Sequence, residues 1–77
     1  MNVIQERQSR RKSQINKIKE SLTEIYLRSP ELNYKTFLMG VMSGMNLSKR
    51  TATDYIEMAL FESGLKINKK AGLLISI

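Results

Sequence analysis

The sequence predicts a mainly α domain in which three helices are followed by a two-stranded C-terminal β-hairpin. Apolar residues recur at steps of three and four within residues 13–28, 34–45 and 49–63, the period of a helix with one buried face. After Gly64 the pattern changes to alternation, and the last thirteen residues are rich in β-formers. Turn and cap residues, Ser29-Pro30, Asn46, Ser48 and Gly64, fall between these stretches.

Residues 1–12 open with Val3 and Ile4 and continue into a basic run, Arg7, Arg10, Arg11 and Lys12. They read as a flexible basic arm, or the loose first turns of a helix, ahead of a folded domain over residues 13–77. In the first helix, residues 13–28, Ile15, Ile18, Leu22 and Ile25 form one stripe. This stripe suits packing on its own domain, and it also suits a dimer seam, though two heptads are too few for a coiled coil. Pro30 stops the helix, because the residue before proline is driven out of the helical region. Leu32, in the connector, is placed to pair with the later strands.

The second helix, residues 34–45, turns Tyr34, Phe37, Leu38, Val41, Met42 and Met45 to one side. Gly40 and Gly44 each weaken it by about 1 kcal/mol relative to alanine. Their presence is read as close approach of a neighbouring helix. Met39, Met42, Met45 and Met58 are read as core filler, the more common use of methionine; an adaptable partner groove is the alternative.

Asn46 suits a left-handed residue closing that helix, and Ser48 is a good N-cap for the next. The third helix, from about Lys49 to Ser63, turns Ala52, Tyr55, Ile56, Ala59 and Leu60 inward, and Gly64 ends it. Leu65 and Ile67 then alternate with Lys66 and Asn68, Lys69-Lys70-Ala71-Gly72 forms a basic turn, and residues 73–77 return as the second strand.

Seventy-seven residues make one domain with a small core. The absence of cysteine and histidine excludes disulfides, thiolate metal sites and zinc fingers. It also removes the common general base and the thiol nucleophile. The seven carboxylates show no metal-ligand spacing and the glycines form no phosphate-binding loop. The expectation is therefore a protein without enzymatic activity, cofactor or metal. No apolar stretch nears the roughly 20 residues that cross a bilayer, and no apolar segment follows the basic N-terminus. This predicts a cytoplasmic protein with no membrane partner.

The net charge is +6, unevenly spread. Residues 1–28 carry +4, residues 29–64 carry −1, and residues 65–77 carry +3. Two basic ends around a near-neutral middle suit a body that holds a polyanion, although a solvated basic surface has the same signature.

The run Asn46-Leu47-Ser48-Lys49-Arg50-Thr51-Ala52-Thr53-Asp54-Tyr55-Ile56 resembles the turn and third helix of the winged helix-turn-helix family. Leu47 stands at the apolar turn position, Ser48 at the cap and Ala52 at the small inward position, while Asn46 replaces the glycine common there. Leu60-Phe61-Glu62-Ser63-Gly64-Leu65 resembles the passage from that helix into the wing. The resemblance covers residues 31–77 and implies a double-stranded DNA-binding protein, a transcriptional regulator or nucleoid-associated factor.

On that reading Ser48, Lys49, Arg50, Thr51, Thr53 and Asp54 face the major groove, and Lys66, Lys69 and Lys70 in the wing meet the backbone or minor groove. Arg10, Arg11 and Lys12 form either a third, arm-like contact or a solvated tail. The outward stripe of the third helix also holds Glu57 and Phe61 beyond Arg50 and Asp54. Carboxylates repel phosphate, so the alternative is a winged-helix protein-interaction subunit of a replication or transcription complex. A homodimer through the N-terminal helix, with Val3 and Ile4 contributing, completes the set of expectations.

Overall fold

The computed structural model describes the backbone from Val3 onward and the side chains from Arg10 onward. Three helices precede a hairpin: α1 (Val3–Arg28), α2 (Tyr34–Met45), α3 (Lys49–Ser63), β1 (Leu65–Asn68) and β2 (Leu73–Ser76). This is a mainly helical, winged-helix-like layout. The strands are antiparallel, with Leu65 opposite Ser76, Lys66 opposite Ile75, Ile67 opposite Leu74 and Asn68 opposite Leu73. Leu65 and Leu74 are buried on the inner face, whereas Lys66 and Ile75 point outward.

A third extended piece joins the hairpin, as the position of Leu32 suggested. Glu31 bridges to Leu73, the Leu32 amide donates to the Gly72 carbonyl at 2.6 Å, and the Leu74 amide donates to the Pro30 carbonyl at 2.7 Å. Pro30 therefore does two things: it stops α1, and its carbonyl pins the return strand.

The core is continuous and wholly apolar: Ile15, Ile18 and Leu22 from α1, Leu32 from the connector, Leu38 and Val41 from α2, Ala52, Ile56 and Ala59 from α3, and Leu65 and Leu74 from the hairpin. Full burial of a side chain such as Ile18, Leu22, Ile56 or Leu74 stabilises the fold by about 1.5–3 kcal/mol each. Two of the three buried α3 residues are alanines, which permits short spacing between α3 and a neighbour. The α1 stripe is thus taken up inside its own domain.

The helix ends follow their cap residues. Asn33 accepts from the Thr36 amide and opens α2, and Asn46, at φ 54°, closes it in the left-handed region. Ser48 opens α3, and Gly64, at φ 70°, closes it with its amide on the carbonyls of Leu60 and Phe61.

Three features differ from, or choose among, the sequence-based readings. The helix α1 starts at Val3, so Arg10, Arg11 and Lys12 lie on it. Arginine, lysine, glutamine and glutamate are all good helix formers, so the segment needs no apolar stripe to be helical. The Val3 and Ile4 side chains, expected to support a dimer, lie outside the described residues.

Gly40 and Gly44 do not mark a close helix approach. Both line an open groove between α1 and α2, and a Cβ on either would meet nothing within 4 Å. The methionines divide: Met42 and Met45 pack against the core, whereas Met39 and Met58 are exposed.

Gly40→Ala and Gly44→Ala should each raise stability, by up to about 1 kcal/mol, because the helix gains propensity without a clash. Ile56→Ala should lower it by about 2–5 kcal/mol through lost burial and a cavity. Urea denaturation followed by circular dichroism measures both; a lower midpoint for the glycine variants would contradict the open groove.

Candidate nucleic-acid interface

Six residues predicted to face DNA come together on the cap and first turns of α3. Ser48 is extended, at φ −68° and ψ 160°, and its hydroxyl accepts from the Thr51 amide at 3.3 Å. The same hydroxyl donates to Thr51 Oγ1 at 3.0 Å, and Thr53 Oγ1 donates to the Lys49 carbonyl at 2.7 Å. The hydroxyl protons of Ser48 and Thr53 are therefore committed to the helix itself. The groups presented outward are Lys49, Arg50 and Asp54, all exposed. The partial positive charge of the helix N-terminus adds to the two cations.

Further along the same face the chemistry reverses. Asp54, Glu57 and Glu62 are exposed carboxylates, and Phe61 is 84% exposed. One helix face thus carries cations at its start and carboxylates around an aromatic ring at its end.

The second group sits at the hairpin tip. Asn68 shapes the turn: its side-chain oxygen accepts from the Ala71 amide at 3.1 Å, and its carbonyl accepts from the Gly72 amide at 2.8 Å. Gly72 adopts φ 66°, a left-handed conformation that favours glycine, while a Cβ there would make only ordinary contact, at 3.5 Å, with the Leu32 carbonyl oxygen. Lys69 folds back over the Tyr34 ring, its Nζ 4.4 Å from the ring centre. This cation–π contact ties the wing tip to the start of α2.

Lys70 is exposed at the tip and Lys66 on the outer face of β1. Lys35, in the first turn of α2, lines the same concave surface as Lys69 and Lys70. Sequence reasoning missed Lys35; the only available signal was its position in the first turn of a helix whose end the wing approaches.

The third group, Arg10, Arg11 and Lys12, is not joined to the others by any hydrogen bond or ion pair among the described residues. Arg11 turns to the middle of α3: its guanidinium carbon is 5.8 Å from the Tyr55 ring centre, and Nη2 donates to Met58 Sδ at 3.2 Å. Arg10 and Lys12 remain exposed.

Among the described residues the ion pair Arg28–Glu24, at 2.9 Å, is the sole salt bridge, so Lys35, Lys49, Arg50, Lys66 and Lys70 are not neutralised by one. Also among those residues, no group of three or more carboxylate, cysteine or histidine side chains is placed to hold a metal ion, and no helix is long and apolar enough to cross a membrane. Comparisons with protein-family models, curated proteins and solved structures find no match.

Ser48→Ala should destabilise the domain by about 1 kcal/mol through loss of the cap, while Ser48→Asp, which keeps an acceptor, should stay close to the parent. Thermal melts of the two variants make the comparison; equal losses would mean that the hydroxyl does not cap α3.

Proposed function

We propose that this protein binds double-stranded DNA, with the first turns of α3 in the major groove and the basic hairpin on the adjacent backbone, as a winged helix-turn-helix transcriptional regulator or nucleoid-associated factor. The observation that carries this reading is the pair Lys49 and Arg50, exposed at the N-terminal end of an outward-facing helix. A helix fits the major groove of B-DNA, and its N-terminal side chains are the ones that reach base edges. Arg50 is suited to the two acceptors of guanine or to phosphate, and Lys49 to phosphate.

The wing supports the reading independently. Lys66, Lys69, Lys70 and Lys35 gather positive charge at the hairpin and the start of α2. The Tyr34–Lys69 contact holds that charge on the folded body, so less order has to be imposed on binding. On this reading the protein acts in the cytoplasm on the nucleoid, without a cofactor and without catalysing a reaction.

A specific observation favours a second reading. Phe61 is 84% exposed amid carboxylates, which suits a protein partner better than phosphate. On that reading the domain is a protein-interaction subunit of a replication or transcription complex, and α3 docks through its C-terminal half.

Fluorescence anisotropy with duplex DNA separates the two. DNA binding predicts that Arg50→Ala loses about 1–3 kcal/mol of affinity if the contact is bidentate to guanine. It predicts that Glu57→Ala is neutral or tightens binding by removing a repulsive charge. If Arg50→Ala binds like the parent on every duplex, major-groove reading by α3 is wrong.

The wing has its own signature. Replacing Lys69 and Lys70 with alanine should weaken all sequences alike and flatten the salt dependence by roughly one unit per lost phosphate contact. Affinity indifferent to both salt and these lysines would favour the protein-interaction reading.

A further inference from the structure

We propose that the protein self-associates by docking the basic N-terminal half of α1 from one copy against the carboxylate-rich outer face of α3 in a second copy, reciprocally about a two-fold axis. The receiving surface is concave and lined by Arg11, Asp54, Glu57, Met58, Phe61 and Glu62. It combines an aromatic ring that is 84% exposed with a methionine that is 41% exposed. Three of the seven acidic residues of a chain of net charge +6 surround this apolar centre, and none of the three is in a salt bridge among the described residues. Such a surface repels phosphate and suits a basic helix that also offers aliphatic stems.

The chain carries such a helix. Arg10 and Lys12 are exposed on α1. The apolar stripe of α1 lies in its own core from Ile15 onward, whereas Arg10 and Lys12 before it are exposed. The helix runs back from Arg11 to Val3, about 12 Å at the usual rise per residue.

The complementarity is already sampled within one copy. Arg11 lies over Tyr55, with its guanidinium on Met58, at the edge of the same surface. An arginine from α1 is therefore chemically compatible with it. In a two-fold pair each copy supplies both a basic helix and a receiving face, so the contact closes at two copies.

Self-association of this kind does not depend on DNA binding, and it leaves the first turn of α3 free. Arg50 and Phe61 are separated by about 16 Å along the helix axis. A two-fold pair would also present two copies of the Lys49–Arg50 turn to a single partner.

Sedimentation equilibrium of the full chain without DNA tests the proposal. The expected result is a concentration-dependent dimer at low salt that weakens in about 1 M salt, where opposite charges are screened. Phe61→Asp should weaken association at least roughly tenfold, as loss of a central aromatic anchor does. Arg10→Glu combined with Lys12→Glu should weaken it as well, and adding Glu57→Lys and Glu62→Lys to that variant should restore it. Circular dichroism establishes that each variant keeps its helix content. A monomer mass at concentrations up to about 1 mM in low salt would overturn the proposal. So would a dimer as tight in Phe61→Asp as in the parent, or a reversed-charge pair that fails to regain the dimer.

Discussion

The packing of α1 on α3 is the contact on which the remaining geometry depends. A chain of 77 residues without cysteine has a single small core and no covalent staple. Ile15, Ile18 and Leu22 must therefore be matched by residues that let the helices come close, and Ala52 and Ala59 do so on either side of Ile56. Once those three positions of α3 face inward, the 3.6-residue period dictates what faces out. Arg50, Asp54, Glu57 and Phe61 have no alternative but the solvent side. The composition of the outward face is thus a consequence of the core rather than an addition to it.

The outward face is then divided along its length. Its first turn offers Lys49 and Arg50 beside the positive end of the helix dipole, and its last turns offer carboxylates around Phe61. A single polyanion along the whole helix would meet attraction at one end and repulsion at the other. On the proposed reading two partners, DNA at the start and a basic protein surface at the end, would resolve that conflict. The hairpin reinforces the first half of this division. Gly72 and Asn68 make the tight turn, and Tyr34 holds Lys69 against the body, so the wing charge is kept with the folded domain.

Much of the fold was legible in the sequence because each element carries its own local code. The apolar stripes placed the helices, Asn46 and Gly64 marked their ends through tolerance of positive φ, Ser48 marked a start, and alternation marked the hairpin. Leu32 was placed correctly because an apolar residue between two helix signals has few other uses. The features that escaped depend on tertiary geometry. The contact of Arg11 with Met58 spans 47 residues, and nothing in either neighbourhood announces it. The Tyr34–Lys69 contact is likewise fixed only when the wing folds back. The glycines misled because a small residue in a helix has the same signature whether a neighbour approaches or the space is open. Residues 3–12 lack an apolar stripe, so periodicity was silent on a helix that rests on propensity instead.

For the candidate interface, residue type and rough position were legible but the commitment of each group was not. Ser48 and Thr53 look equally ready to meet DNA in the sequence, yet their hydroxyl protons are directed to α3 itself. The central claim is that the start of α3 and the wing together meet duplex DNA. Titrating duplex DNA into isotope-labelled protein and following backbone amide shifts tests it most directly. The account predicts salt-sensitive shifts concentrated at residues 48–54 and 66–71, with the buried α1 positions from Ile15 to Leu22 little changed. Absence of shifts at low salt, or shifts confined to the Glu57–Phe61 end of α3, would contradict it.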